Sequence, residues 1–132
     1  MKKILFLLIV FSTLSKVYAQ DLFTSLTYDE AKKYAKEFNR PFYVDITADW
    51  CFPCKMMEKT VFVDQKVVEY THDKYLAIQL DVEDFDALIL KSEYKISALP
   101  VILFFNSKGK LVAKEEGLQT GTKFLELLKK YD

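Results

Sequence analysis

The chain has two cysteines, Cys51 and Cys54, three apart at the junction between a strand-like and a helix-like run, and that junction constrains the fold more than any other feature. Upstream, Phe42-Tyr43-Val44-Asp45-Ile46 is rich in β-branched and aromatic residues, the composition of a strand. Downstream, Lys55, Met56, Met57, Glu58 and Lys59 are all good helix formers. Cys51 is therefore expected at a helix N-terminus, where unpaired N–H groups and the helix dipole favour a thiolate. Such placement lowers a cysteine pKa from about 8.5 into a range of roughly 3.5–7.5. Thiols at this spacing can close a small disulfide ring, open it again and so carry two electrons. Cys51 is the expected nucleophile and Cys54 the resolving thiol.

Other uses of the pair fit less well. A structural zinc site usually takes four ligands, and beyond the cysteines the chain offers one histidine, His72. Haem attachment requires a histidine directly after the second cysteine, where Lys55 stands. A purely structural bridge over so short a loop removes little entropy from the unfolded chain. These readings, and that of a vestigial pair, remain as alternatives to redox work. Neither a metal nor an organic cofactor is expected.

The N-terminus reads as a secretory signal peptide over residues 1–19. Lys2 and Lys3 precede the apolar run Ile4 to Phe11, and Val17-Tyr18-Ala19 supplies small residues where a signal peptidase inspects them. The apolar run is far short of the roughly 20 residues that span a bilayer. Gln20, not a cysteine, directly follows Ala19, which argues against a lipid anchor. Residues 20–132 carry 16 basic against 19 acidic side chains, since Lys2, Lys3 and Lys16 belong to the leader. That balance argues against nucleic acid or an anionic membrane as the main partner.

Residues 20–132 fit one domain with one core. Ala31, Tyr34, Ala35 and Phe38 recur at helical spacing behind a Thr27/Glu30 capping box, and Pro41 is expected to end that helix. Asp64 is placed to cap a short helix through Val67, Val68 and Tyr70. Tyr75 to Asp81 reads as a strand and Phe85 to Tyr94 as a helix. Val101 to Phe105, a turn over Asn106 to Gly109, and Leu111 to Lys114 form a hairpin. Thr122 to Tyr131 closes the chain as a helix that buries Phe124, Leu127 and Leu128. The acidic run Asp81, Glu83, Asp84 and Asp86 is expected to be a solvated helix start, because acids favour helix N-termini. Helices alternating with strands early and a hairpin late imply an α/β sandwich with a mixed sheet.

Asp45 six residues before Cys51, Ala48-Asp49-Trp50 leading into the cysteine pair, Lys55 after it, and Leu99-Pro100 ahead of an apolar strand together resemble thioredoxin. The resemblance covers Thr27 to Tyr131 and implies the three-layer thioredoxin-like sandwich, a mixed central sheet flanked by helices. Within that superfamily Ala48-Asp49-Trp50-Cys51, Cys54-Lys55, Glu58-Lys59, Phe62 and Asp64 are most similar to the C-terminal, periplasmic thioredoxin-like domain of the disulfide interchange protein DsbD. That likeness implies a periplasmic thiol:disulfide oxidoreductase, with outright secretion also open. Its partners are expected to be protein disulfides or dithiols and a separate membrane or soluble thiol donor, with the protein itself a monomer.

The resemblance also assigns roles. Asp45 becomes a buried carboxyl that relays a proton to or from Cys54, against the alternative of a surface-facing strand residue. Glu58, one turn beyond Cys54 on the same helix face, becomes a second carboxyl in that relay, or an ordinary solvated glutamate. Pro100 becomes a cis-proline beside which a substrate segment pairs as an added strand. A trans-proline at a strand start is the alternative. Trp50, Phe52, Pro53, Leu99, Pro100 and Gly117 are the candidate substrate-contacting residues, although core packing would explain Trp50 and a simple turn would explain Gly117. Thioredoxins carry glycine at the position of Phe52, so an exposed aromatic is expected at the mouth of the site.

Two departures from thioredoxin bear on direction. The lysine that thioredoxins carry beside the buried aspartate aligns with Ala77. The Phe52-Pro53 dipeptide lacks the histidine of strongly oxidising relatives, which leans toward a reductant or an isomerase. The expected activity is reduction of protein disulfides. Its rivals are an oxidase or isomerase, and a non-catalytic module that holds a client on Trp50, Phe52 and Pro100.

Overall fold

Thr27 starts the first helix as the capping box predicts. Its hydroxyl accepts from the Glu30 N–H at 3.2 Å and the Glu30 carboxylate accepts from the Thr27 N–H at 2.8 Å. The computed structural model describes residues 21–132, so the expected leader lies outside the described residues. Helix α1 (Tyr28–Glu37) buries Ala31 and Ala35. It ends earlier than Pro41 predicts: Asn39 takes a left-handed φ of 49° and the Arg40 N–H returns to the Ala35 carbonyl at 2.9 Å. Phe38 is the C-cap, its N–H still bonded to the Tyr34 carbonyl, and its side chain is exposed rather than part of the buried face.

The remaining elements are β1 (Phe42–Thr47), α2 (Phe52–Thr60), α3 (Gln65–Lys74), β2 (Leu76–Asp81), α4 (Phe85–Glu93), β3 (Val101–Phe105), β4 (Leu111–Glu116) and α5 (Gly121–Tyr131). The four strands form one mixed sheet in the order β2-β1-β3-β4, with β1 and β2 parallel and the other pairs antiparallel. Strand β4 runs two residues beyond the expected Lys114 because Glu115 and Glu116 pair with Ile102 and Val101. Its exposed alternate residues are Val112, Lys114 and Glu116, and the two charges help to protect the sheet edge from further pairing. Helix α3 is longer than expected, reaching Lys74 behind an Asp64 cap that accepts from Lys66 and Val67.

All six residues of β1 are buried, so both faces of the central strand are covered. On one face Phe42, Val44 and Ile46 join Leu76, Ile78, Leu80, Val101, Leu103 and Phe105 against α1 and α4; both cysteines belong to this core. On the other, Tyr43, Ala77, Ile102 and Phe104 pack against Met57 of α2, Val67 of α3 and Phe124, Leu127 and Leu128 of α5. The strand period of two thus separates the apolar residues of β1 into two cores and points Asp45 into the second. This is the α/β sandwich with a mixed sheet expected from the alternation of elements, in the three layers that the resemblance implies. Among the described residues no helix is long and apolar enough to cross a membrane.

Candidate active site

Strand β1 ends at Thr47 and the chain enters α2 four residues later, with Cys51 as the N-cap. The Cys51 Sγ accepts the Cys54 backbone N–H at 3.3 Å. Pro53 occupies the first turn, where the N–H it lacks has no partner in the helix. Cys51 and Cys54 are joined by a disulfide. The sulfur of Cys51 therefore sits where helix donors stabilise negative charge, so reduction of the ring yields a thiolate favoured at this position.

Trp50 and Phe52 flank the first cysteine and are 75% and 74% exposed, so Trp50 is not a core residue. Leu99–Pro100 is a cis peptide, as expected. The Pro100 carbonyl accepts the Gly117 N–H at 2.9 Å, which brings the expected Gly117 beside the proline. Gly117 has a φ of 92°, and no atom lies within 4 Å of where a Cβ would be, so its backbone conformation rather than close packing calls for glycine. A groove of about 170 Å³ runs between Trp50 and Leu99, walled by Val82, Ile96 and Ala98 and bordered by Lys91.

Asp45 is 2% exposed. Across the parallel pair it faces Gln79, and across the antiparallel pair Ile102. The Gln79 Nε2 donates to Asp45 Oδ2 at 2.8 Å, the one hydrogen bond of that carboxyl among the described residues. Ala77, expected in the place of the lysine beside the buried acid, lies opposite Tyr43, and the register puts Gln79 in that place instead. The neighbour of the buried acid is thus a neutral amide, and the sequence reading missed it. A polar residue inside the apolar run Leu76 to Leu80 was the available signal, but only the register reveals what it touches. Burial pushes the Asp45 carboxyl up to about 7; the Glu58 charge adds to the rise and the Gln79 hydrogen bond opposes it. An acid tuned to that range exchanges its proton near neutral pH.

Glu58 is neither deeply buried nor simply solvated. Its side chain is 31% exposed, pairs with Lys55 at 3.3 Å and accepts from the Thr47 hydroxyl at 3.4 Å. Lys55 also reaches Asp49 at 3.3 Å. A second cleft, about 420 Å³ in volume, is lined by Glu58, Gln79, Phe62 and the Leu22–Phe23 segment, so the groups beside Asp45 border solvent. The acidic run stands at the start of α4 as expected, with Asp84 as the N-cap; Asp81 accepts from the Glu83 N–H, Asp84 from the Asp81 N–H and Asp86 from the Tyr28 N–H. No group of three or more potential metal ligands occurs among the described residues.

The Gln79 hydrogen bond favours the charged form of Asp45, so Gln79→Leu is expected to raise the pH at which Asp45 ionises. Hydrogen bonds to charged groups are worth about 1.5–3 kcal/mol, or roughly 1–2 pH units. The pH profile of disulfide reaction, compared with that of the wild type, checks this. An unmoved profile would show that Gln79 does not tune the acid.

The thioredoxin-like domain model matches residues 28–132. DsbD of Colwellia psychrerythraea, named a thiol:disulfide interchange protein, is 38% identical over 90 residues, covering 66% of this chain and 14% of that protein. Mitochondrial thioredoxin of Bos taurus is 34% identical over 90 residues, covering 68% of this chain and 51% of that one. The chain thus spans about a seventh of the DsbD proteins and about half of this thioredoxin. A solution structure of a putative disulphide-isomerase from Bacteroides thetaiotaomicron superposes with a TM-score of 0.72 at 32% identity, covering 81% and 88% of the two chains. The reduced DsbD C-terminal domain of Neisseria meningitidis, at 22% identity, 0.65 and coverage of 77% and 90%, shares the fold.

Proposed function

The chain belongs to the thioredoxin-like family, and from that premise we propose that it is an exported thiol:disulfide oxidoreductase that reduces protein disulfides. The observation that carries this reading is the position of Cys51 at the N-cap of α2, with its sulfur on the Cys54 N–H. In the dithiol form the Cys51 thiolate attacks one sulfur of a substrate disulfide. A Cys51–substrate bond forms, the substrate S–S bond breaks and one substrate thiolate departs. Cys54 then gives up its proton with help from Asp45 and attacks the Cys51 sulfur. The mixed disulfide breaks, the Cys51–Cys54 bond forms and the second substrate thiolate leaves. Two electrons pass to the substrate, whose two sulfurs take up protons, and a separate dithiol donor must restore the pair.

Glu58 supports this proton path as the charged neighbour of Asp45. Trp50, Phe52, Pro53, Leu99, Pro100 and Gly117 supply the surface on which the substrate segment lies. Export into a periplasm, or secretion, rests on the leader-like residues 1–19 and on the DsbD relatives. The reacting groups are the two thiols, with no added cofactor in the cycle, and the protein acts as a monomer. The absence of histidine between the cysteines supports the reducing direction. The neighbour described as a putative disulphide-isomerase favours isomerisation as the second reading.

The test is reduction of insulin by the purified protein, with dithiothreitol regenerating the dithiol. Catalysed reduction that disappears when both cysteines are replaced by serine supports the proposal. Faster reshuffling of a scrambled protein than reduction of insulin would favour the isomerase. Unchanged biological effect of the double serine variant would favour the client-binding module.

A further inference from the structure

The groove beside Trp50 carries one charged side chain, Lys91, among walls of Trp50, Val82, Ile96, Ala98 and Leu99. Lys91 is half-buried. It forms no ion pair and no side-chain hydrogen bond among the described residues, whereas Lys55, on the other side of the cysteine pair in sequence, is engaged by Asp49 and Glu58. Trp50 directly precedes Cys51 and Leu99 directly precedes Pro100, so the groove is bounded by the chain neighbours of both site landmarks. A substrate segment engaged at Cys51 and laid along Pro100 would have to pass it.

We propose that Lys91 makes this groove selective for substrate segments that carry a carboxylate next to an apolar residue beside the reactive disulfide. The inference rests on the reductase reading and names the substrate class for that same site. The apolar walls accept the apolar side chain. The ammonium at the border, without an acidic partner among the described residues, is completed by a carboxylate from the substrate. Residues 20–132 carry more acid than base, 19 against 16, and long-range attraction alone would favour basic partners. A preference for acidic segments therefore has to come from a local group such as Lys91.

The experiment compares disulfide-linked peptide dimers that differ only in a Glu, Gln or Lys placed within three residues of the cysteine, together with the small uncharged disulfide of 2-mercaptoethanol. Wild-type protein is expected to favour the Glu peptide over the Lys peptide in kcat/KM by about threefold to fivefold at low salt, the scale of a partly exposed ion pair. The preference should shrink as salt is raised. Lys91→Glu should invert the order and Lys91→Met should remove it, with reduction of the small disulfide unchanged in both. Equal rates for the three peptides, or a preference that survives both substitutions, would overturn the inference while leaving the reductase reading intact. Failure of the wild type to reduce even the small disulfide would sink that reading and the inference with it.

Discussion

Cys54→Ser protein is expected to accumulate a covalent adduct with a disulfide substrate, while Cys51→Ser protein forms none. The first attack needs only the Cys51 thiolate on the helix N-terminus, which the Cys54 substitution leaves in place. The second attack needs the Cys54 sulfur, and a serine hydroxyl cannot take its role. Turnover should fall by more than about 10³-fold in both variants, as when a nucleophile is removed from other enzymes. The difference lies in what is trapped. Mass spectrometry of the intact protein should find one substrate half joined to Cys51 in the first case and unmodified protein in the second. An adduct on Cys54 of the Cys51→Ser protein would reverse the assigned roles.

Asp45→Asn carries the second large effect, and it acts on stability and rate in opposite senses. The carboxyl ionises near 3.8 when unfolded and near 7 when folded, chiefly because burial disfavours the charge. Below about pH 4 both states hold the proton and the group costs nothing. Between these values the folded state retains a proton that the unfolded state has lost, so stability falls as pH rises, and above about 7 the whole penalty is present. A shift from 3.8 to about 7 corresponds to a penalty on the order of 4 kcal/mol. The asparagine keeps the shape and can keep the Gln79 hydrogen bond without the charge. Oxidised Asp45→Asn protein should therefore melt higher than wild type at pH 8, by on the order of 10 °C, and no higher near pH 4. Its resolving step should be slower by about 10²–10⁴-fold, the range of a lost general base. Thermal melts across pH and stopped-flow decay of the mixed disulfide check both halves. Equal melting gains at pH 4 and pH 8 would remove the charge as the cause.

The fold was largely legible because its strongest signals are local. Thr27 and Glu30 specify a cap within four residues, and Phe42 to Ile46 and Val101 to Phe105 are too apolar for anything but covered strands. Boundaries that depend on what the chain meets were harder. Phe38 has the right spacing for a buried helix face, yet it is the C-cap of α1 and its side chain lies exposed. Cys51, Cys54, Trp50 and Phe52 were legible as a site because they adjoin in sequence. The Asp45–Gln79 pair was not, since it joins residues 34 apart through strand register. The groove has the same origin: Lys91, Val82 and Ile96 reach Trp50 only through the packing of α4 and the following loop.

The direction of electron flow is tested most directly by the equilibrium reduction potential of the Cys51–Cys54 pair, titrated against a dithiothreitol or glutathione series. Trp50, the single tryptophan of the chain and the neighbour of Cys51, provides the fluorescence signal. A potential near about −270 mV, as in thioredoxin, is the result expected of a protein-disulfide reductase supplied by a separate thiol donor. A potential near roughly −120 mV, that of a strong oxidant, would contradict it and send the electrons the other way.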